Sequence, residues 1–192
     1  YLSRIVSDLV MLASENISAM ELEITPSRID ELAWSAVNAT TLDPSNIRVD
    51  VDPAVVAFVD RARIQQALGS FLENAIRYGG TNALVTALPD GVDLVLEVHD
   101  DGPGVPRKYE LLIWEKFERG PNRLNATVPG SGIGLAVTNA IAKAHGGAAG
   151  YRRSERIGGA CFWLRLPGRI QATSPPGEGL RLVEADDDAQ SA

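Results

Sequence analysis

The chain has 192 residues, with 18 Lys and Arg against 25 Asp and Glu, and its net charge of −7 argues against nucleic acid as the main partner, because neutralising phosphates needs a basic surface. Its single Cys161 excludes an internal disulfide framework and a cysteine zinc cage, and no apolar run approaches the roughly 18 residues that a membrane span needs. With 45% hydrophobic and 22% charged residues it can build one ordinary globular core.

No charged-then-apolar leader opens the chain, and the start at Tyr1 rather than Met reads as a piece of a longer protein. Apolar residues at Leu2, Ile5, Val6, Leu9, Val10, Leu12 and Ala13 repeat with helical spacing over Tyr1 to about Met20. Leu22 to Thr25 alternates like a short strand. After Pro26, Ser27 reads as an N-cap with Asp30 at the acidic position three residues on, predicting a helix to about Asn38. Ile47–Val51 and Val55–Val59 read as strands separated by the turn pair Asp52-Pro53. Asp60 then caps a long helix whose inner side carries Ile64, Leu68, Phe71, Leu72, Ala75 and Ile76, and Gly79-Gly80 ends it. Strands Ala83–Leu88 and Val92–Val98 follow, joined by the hairpin signal Pro89-Asp90-Gly91. A turn-rich DDGPGVP stretch leads to a short amphipathic piece, Leu111–Phe117, and to a polar segment from Arg119 to Ser131. A helix from about Ile133 to Ala144 ends at His145-Gly146-Gly147, and strands Ala148–Tyr151 and Ala160–Leu166 close the domain. The remainder, rich in Pro, Gly and acids, has two Arg against five acids for a net −3 and reads as a mostly disordered tail. Strands and helices without regular βαβ alternation predict an α+β fold, helices on one face of a mixed sheet.

Four boxes carry the chemistry. In FLENAIRY, Phe71 to Tyr78, residues Asn74, Arg77 and Tyr78 share one helical face near the helix end. An amide oxygen is a hard metal ligand and a guanidinium forks onto phosphate; the plainer reading is a cation set against the helix dipole. Asp100-Asp101-Gly102-Pro103-Gly104 ends a strand, where a carboxylate can accept from an exocyclic amine, or be an ordinary acidic turn. Phe117-Glu118-Arg119-Gly120 comes third. Gly130-Ser131-Gly132-Ile133-Gly134-Leu135 opens a helix, and glycines there present N–H groups to an anion. Its spacing fits neither a dinucleotide fingerprint nor a P-loop.

In this order and spacing the boxes resemble the ATP-binding domain of bacterial sensor histidine kinases, within the wider family that includes gyrase, the ninety-kilodalton heat-shock chaperones and MutL. The likeness runs from about Leu22 to Pro167, roughly three quarters of the chain. It implies a two-layer α/β sandwich, with a mixed, mostly antiparallel sheet of about five strands and helices on one face. It divides the chain into a remnant of the second dimerisation helix with its linker over 1–21, an ATP-binding catalytic domain over 22–167, and the acidic tail over 168–192. It implies that Asn74 binds the Mg²⁺ that bridges the ATP phosphates, that Arg77 reaches a phosphate and that Tyr78 lines the nucleotide. Asp100 would accept from the adenine amine, Gly102, Gly104 and Val105 would shape the base pocket, and Gly130, Ser131, Gly132, Ile133, Gly134 and Leu135 would cradle the phosphates. Arg119 would be a phosphate contact on a mobile lid over 119–131. Glu73 stands where the family often has an acid proposed to assist the transfer. Two positions depart from the pattern: Ser70 stands where many members carry a further Asn, and Ala160 where many carry Thr or Ser.

The resemblance implies a two-component histidine kinase that transfers the γ-phosphate of ATP to a histidine on a dimerisation helix, with a response regulator downstream and no membrane contact from this segment. The family's acceptor is a His followed by an acid and slightly later a Pro on a dimerisation helix; His99 instead precedes the adenine-box acids at a strand end and His145 sits in a helix-ending HGG, so the acceptor is expected outside this chain. A cytoplasmic location is implied, with room for a parent protein anchored in the inner membrane through another segment. Two other uses of the fold stay open: a mechanochemical ATPase, which would carry a longer lid and a transducer domain, and an anti-sigma-type serine kinase.

Overall fold

The computed structural model describes residues 20–40, 44–116 and 132–170. Its main sheet has five strands in the order β2-β4-β5-β7-β6: β2 (Ile47–Asp50), β4 (Ala83–Asp90), β5 (Asp93–Asp100), β7 (Ala160–Leu166) and β6 (Ala148–Arg153). β2 and β4 run parallel, and every other pair is antiparallel. A separate ribbon pairs β1 (Ile24–Arg28) with β3 (Val56–Asp60). The helices α1 (Ile29–Asn38), α2 (Arg61–Tyr78) and α3 (Gly134–Ala144) pack against one another and onto one face of the sheet, which is the expected two-layer α+β arrangement.

Strand parity fixes which face is covered. Leu94, Leu96 and Val98 of β5 lie in register with Leu166, Leu164 and Phe162 of β7, and all six are buried. They meet Ile64, Leu68, Phe71 and Leu72 of α2, Ile29 and Leu32 of α1, and Val137 and Ile141 of α3. Burying each such side chain contributes about 1.5–3 kcal/mol. Phe162 sits at the centre, stacked on Phe71 with centroids 5.6 Å apart and touched by Trp114 and Tyr151.

Asp60 caps α2, its carboxylate accepting the Arg63 N–H at 3.0 Å. The expected Ser27 cap of α1 does not form. Ser27 pairs with Ala57 inside β1, Arg28 takes the cap position without a side-chain bond, and the Arg28 guanidinium holds Asp30 at 2.6 Å. β4 and β5 run longer than the sequence suggests, to a two-residue turn in which Gly91 has φ +63°. Pro89 lies beyond Thr86, the last β4 residue paired with β2, so its missing N–H costs that ladder nothing. The amphipathic piece expected at Leu111–Phe117 is reduced to a 3-10 turn at Leu112–Trp114. Gly168, Arg169 and Ile170 continue the domain's hydrogen bonding, Ile170 bridging Ala57. Among the described residues no helix is long and apolar enough to cross a membrane.

Candidate functional site

The alternation that turns Leu94, Leu96 and Val98 inward turns Asp100, the last residue of β5, the same way. Asp100 is 2% exposed. Its Oδ1 accepts the N–H of Gly102 at 3.0 Å and of Ala160 at 2.9 Å, while Oδ2 accepts none from the described residues. Burial pushes its carboxyl above the usual range, and the two amide bonds pull against that. Asp101, one residue on, turns the other way: it accepts the Asn82 N–H at 3.0 Å and Nδ2 at 2.7 Å, bonds that hold its carboxyl below the usual range. Adjacent acids thus stand in opposite environments, one desolvated with an oxygen left over, one tied down in solvent.

Three glycines close around Asp100. A Cβ at Gly79 would strike the Ala75 carbonyl and the Asp100 side chain; one at Gly102 would strike the Gly79 backbone; one at Gly159 would strike Asp100. The crowding joins the end of α2 to the end of β5. Glu73, Asn74 and Arg77 on the last turns of α2 are half-buried beside this junction, and Tyr78 is exposed. Glu73 and Arg77 pair at 3.6 Å across one turn.

On the other side of α2, Gly134 begins α3 with room for no side chain, because the Ser70 hydroxyl lies against it. Ser70, which departs from the family pattern by standing where many members carry a further Asn, is therefore where the two helices meet. Gly132 has φ +68°, Ile133 is buried, Leu135 packs on the core, and no side chain caps the helix among the described residues. Its first N–H groups remain available to an anion. The structure thus brings together Asn74, Arg77 and Tyr78, Asp100 with the Gly102–Val105 turn, and the start of α3. Arg119, Gly130 and Ser131, with the expected lid over 119–131, lie outside the described residues.

The opposite face of the sheet holds a second polar group. Glu97, His99 and Cys161 are buried with their ligating atoms within 4.8 Å of one another. They form a closed network: His99 Nε2 meets Glu97 Oε2 at 3.0 Å, His99 Nδ1 meets Ser154 Oγ at 3.0 Å, and Arg152 donates to Glu97 Oε1 at 2.6 Å. The Arg152 guanidinium already sets a positive charge against Glu97, burial pushes the Cys161 thiol up to about 12, and the polar atoms of the cluster are taken up by one another's hydrogen bonds. His99 and His145 are 0% and 1% exposed and hydrogen-bonded, hence inaccessible as phosphate acceptors in this fold.

Gly79, Gly159, Tyr151 and Arg153 were not singled out in the sequence as site residues. Their trace in the sequence is confined to two of the three Gly-Gly pairs, 79–80 and 158–159, each with one member pressed on Asp100.

A family model for histidine kinase-, DNA gyrase B- and HSP90-like ATPases matches residues 59–180. The chain is 35% identical over 179 residues to the sensor protein KdpD of Escherichia coli, covering 90% of this chain and 19% of that protein. The crystal structure of full-length ShkA in complex with AMPPNP superposes with a TM-score of 0.68 at 27% identity, covering 90% of this chain and 37% of ShkA. The ATP-binding domain of PrrB from Mycobacterium tuberculosis superposes with a TM-score of 0.59 at 27% identity, covering 76% of this chain and 98% of that domain. The chain spans 19% to 38% of the length of the first curated relatives it matches.

Proposed function

The chain belongs to the histidine kinase-, DNA gyrase B- and HSP90-like ATPase family, as the ATP-binding catalytic domain of a sensor histidine kinase, and on that premise we propose that it passes the γ-phosphate of ATP to a histidine on a dimerisation helix outside this chain, for onward transfer to a response regulator. Phosphoryl transfer asks the protein chiefly to position groups and neutralise charge. Asp100 Oδ2 would take the adenine amine, with Gly102, Gly104 and Val105 shaping the base pocket. Arg77 and the N–H groups at the start of α3 would hold the phosphates, joined by Arg119, Gly130 and Ser131, and Tyr78 would line the nucleotide. Glu73 would orient the incoming imidazole, which is already nucleophilic when neutral.

The start of α3, which no side chain among the described residues caps, and the hard amide oxygen of Asn74 suit Mg·ATP. Asn74 would hold the Mg²⁺, which when bound supplies charge neutralisation across the phosphates.

One observation carries this reading: a buried carboxylate at a sheet end, anchored through one oxygen, with the other taken by none of the described residues. A hydrogen bond to a charged acceptor contributes about 1.5–3 kcal/mol, so Asp100→Ala should weaken ATP binding roughly ten- to two-hundred-fold. Asp100→Asn keeps an acceptor for the Gly102 and Ala160 amides while making the outer atom a donor; it should lose ATP and improve relative binding of GTP, whose carbonyl replaces the amine. Asp101→Ala should change little. Calorimetric titration of ATP and GTP into the three variants decides the matter, and equal small losses for Asp100 and Asp101 would remove the adenine pocket from this place.

A further inference from the structure

The turn after Asp100 is fastened from across the sheet. In the β6–β7 register Arg153 stands opposite Ala160 and Tyr151 opposite Phe162, so both project on the face to which Asp100 turns. Tyr151 Oη accepts the Val105 N–H at 2.9 Å and donates to the Val105 carbonyl at 3.4 Å, with its ring 5.6 Å from that of Phe162. The Arg153 guanidinium forks: Nη1 donates to the Pro103 carbonyl and Nη2 to the Gly158 carbonyl, each at 3.1 Å. Arg153 makes no ion pair among the described residues.

One planar group therefore spans the two loops that flank Asp100. The first contains Gly102, whose N–H binds Asp100 Oδ1. The second leads into Gly159, whose N–H binds the Asp100 carbonyl, and Ala160, whose N–H binds Oδ1. Gly104, at φ +73°, leaves space for the fastening, since a Cβ there would come within 3.0 Å of both Arg153 Nη1 and Tyr151 Oη.

We infer that Arg153 and Tyr151 are positioning residues for base recognition, a clamp that holds the Pro103–Val105 turn and the Gly158–Ala160 turn at the separation in which Asp100 presents its free oxygen. The inference rests on the adenine reading of Asp100. A planar fork with two divergent N–H directions bridges two carbonyls in a way that a point-like ammonium does not. The clamp bonds lie at or near the surface, so each is worth a modest factor.

The test uses the full chain with Arg153→Lys, Arg153→Met and Tyr151→Phe. Binding of ATP and GTP is measured by calorimetry, amide exchange at Val105 by NMR, and unfolding by a thermal scan. Each variant should weaken ATP about three- to tenfold, narrow the ATP-to-GTP ratio and speed Val105 exchange, and Lys should do no better than Met. Wild-type ATP affinity in all three variants overturns the inference. So does a lowered unfolding midpoint with an unchanged ATP-to-GTP ratio, which would mark plain structural support, and so does full rescue by Lys, which would mark charge alone. A wild-type chain without preference for ATP over GTP overturns the adenine reading itself, and the clamp's role with it.

Discussion

His145 has both ring nitrogens committed inside the core. Nδ1 donates to the Ile141 carbonyl at 2.9 Å, and Nε2 accepts the Asp60 N–H at 3.1 Å. Only the neutral ring satisfies both bonds, since a second proton would face the Asp60 N–H. Burial pushes the pKa of His145 below 6.5, and the same holds for His99 despite its Glu97 partner. The unfolded chain therefore takes up these protons first as pH falls. The stability contributed is complete above about pH 6.5 and is lost progressively below it. Asp100, pushed upward by burial, acts in the opposite sense and only in the carboxylate range. Thermal scans should show a midpoint nearly level from pH 7 to 8 that falls between pH 6.5 and 5.5. His145→Gln should lower the midpoint at pH 7.5 yet flatten that fall. An equally steep fall in the variant would place the sensitivity elsewhere.

Among the elements, the end of α2 shows a glycine kept for closeness rather than backbone freedom. Gly79 ends the helix, as the sequence suggests, but with φ −81° and an extended ψ, open to any residue. Its requirement is steric, against the Ala75 carbonyl and Asp100. Gly79→Ala should destabilise by about 1–3 kcal/mol in urea unfolding, the usual cost of overpacking. Gly80→Ala should cost less, because its Cβ would press mainly on the exposed carboxylate of Asp101, which can swing aside by giving up its Asn82 bonds, while the Asp101 backbone lies 3.1 Å away. Equal losses would contradict this account. The same neighbourhood shows what local sequence can reveal. Asp60 announced its helix because an acid before an apolar period caps by itself. Asp100 stood out through its place in the box that follows a strand, whereas its inward turn shows only once β5 runs on past Val98 to Asp100. Ser27 misled because β3 claims it: pairing across 30 positions outweighed a local cap preference. Gly159, Tyr151 and Arg153 act on residues about 50 to 60 positions away, and no local pattern encodes such a contact.

At the scale of the whole molecule, the domain does not stop at Pro167, where the sequence pattern placed its end. The Gly168 N–H binds Asp93, the Arg169 carbonyl accepts from Phe58, the Arg169 guanidinium binds the His145 carbonyl, and the Ile170 N–H binds the Val92 carbonyl. At about 0.5–1.5 kcal/mol for each of these four bonds, a chain ending at Pro167 should be less stable than one ending at Ile170 by roughly 2–6 kcal/mol, read from paired urea titrations; superposable curves would show that the segment adds nothing. This attachment also organises how the domain is mounted. β3 is gripped by β1 along one edge and by Arg169 and Ile170 along the other, so the chain arrives and departs along the two sides of a single strand. A pull on both ends would load the β1–β3 and β3–Ile170 seams together with the Gly168–Asp93 and Ile170–Val92 bonds at the start of β5. Load thus enters the main sheet at the Asp93 end of β5, and Asp100 stands a full strand length from where it is applied.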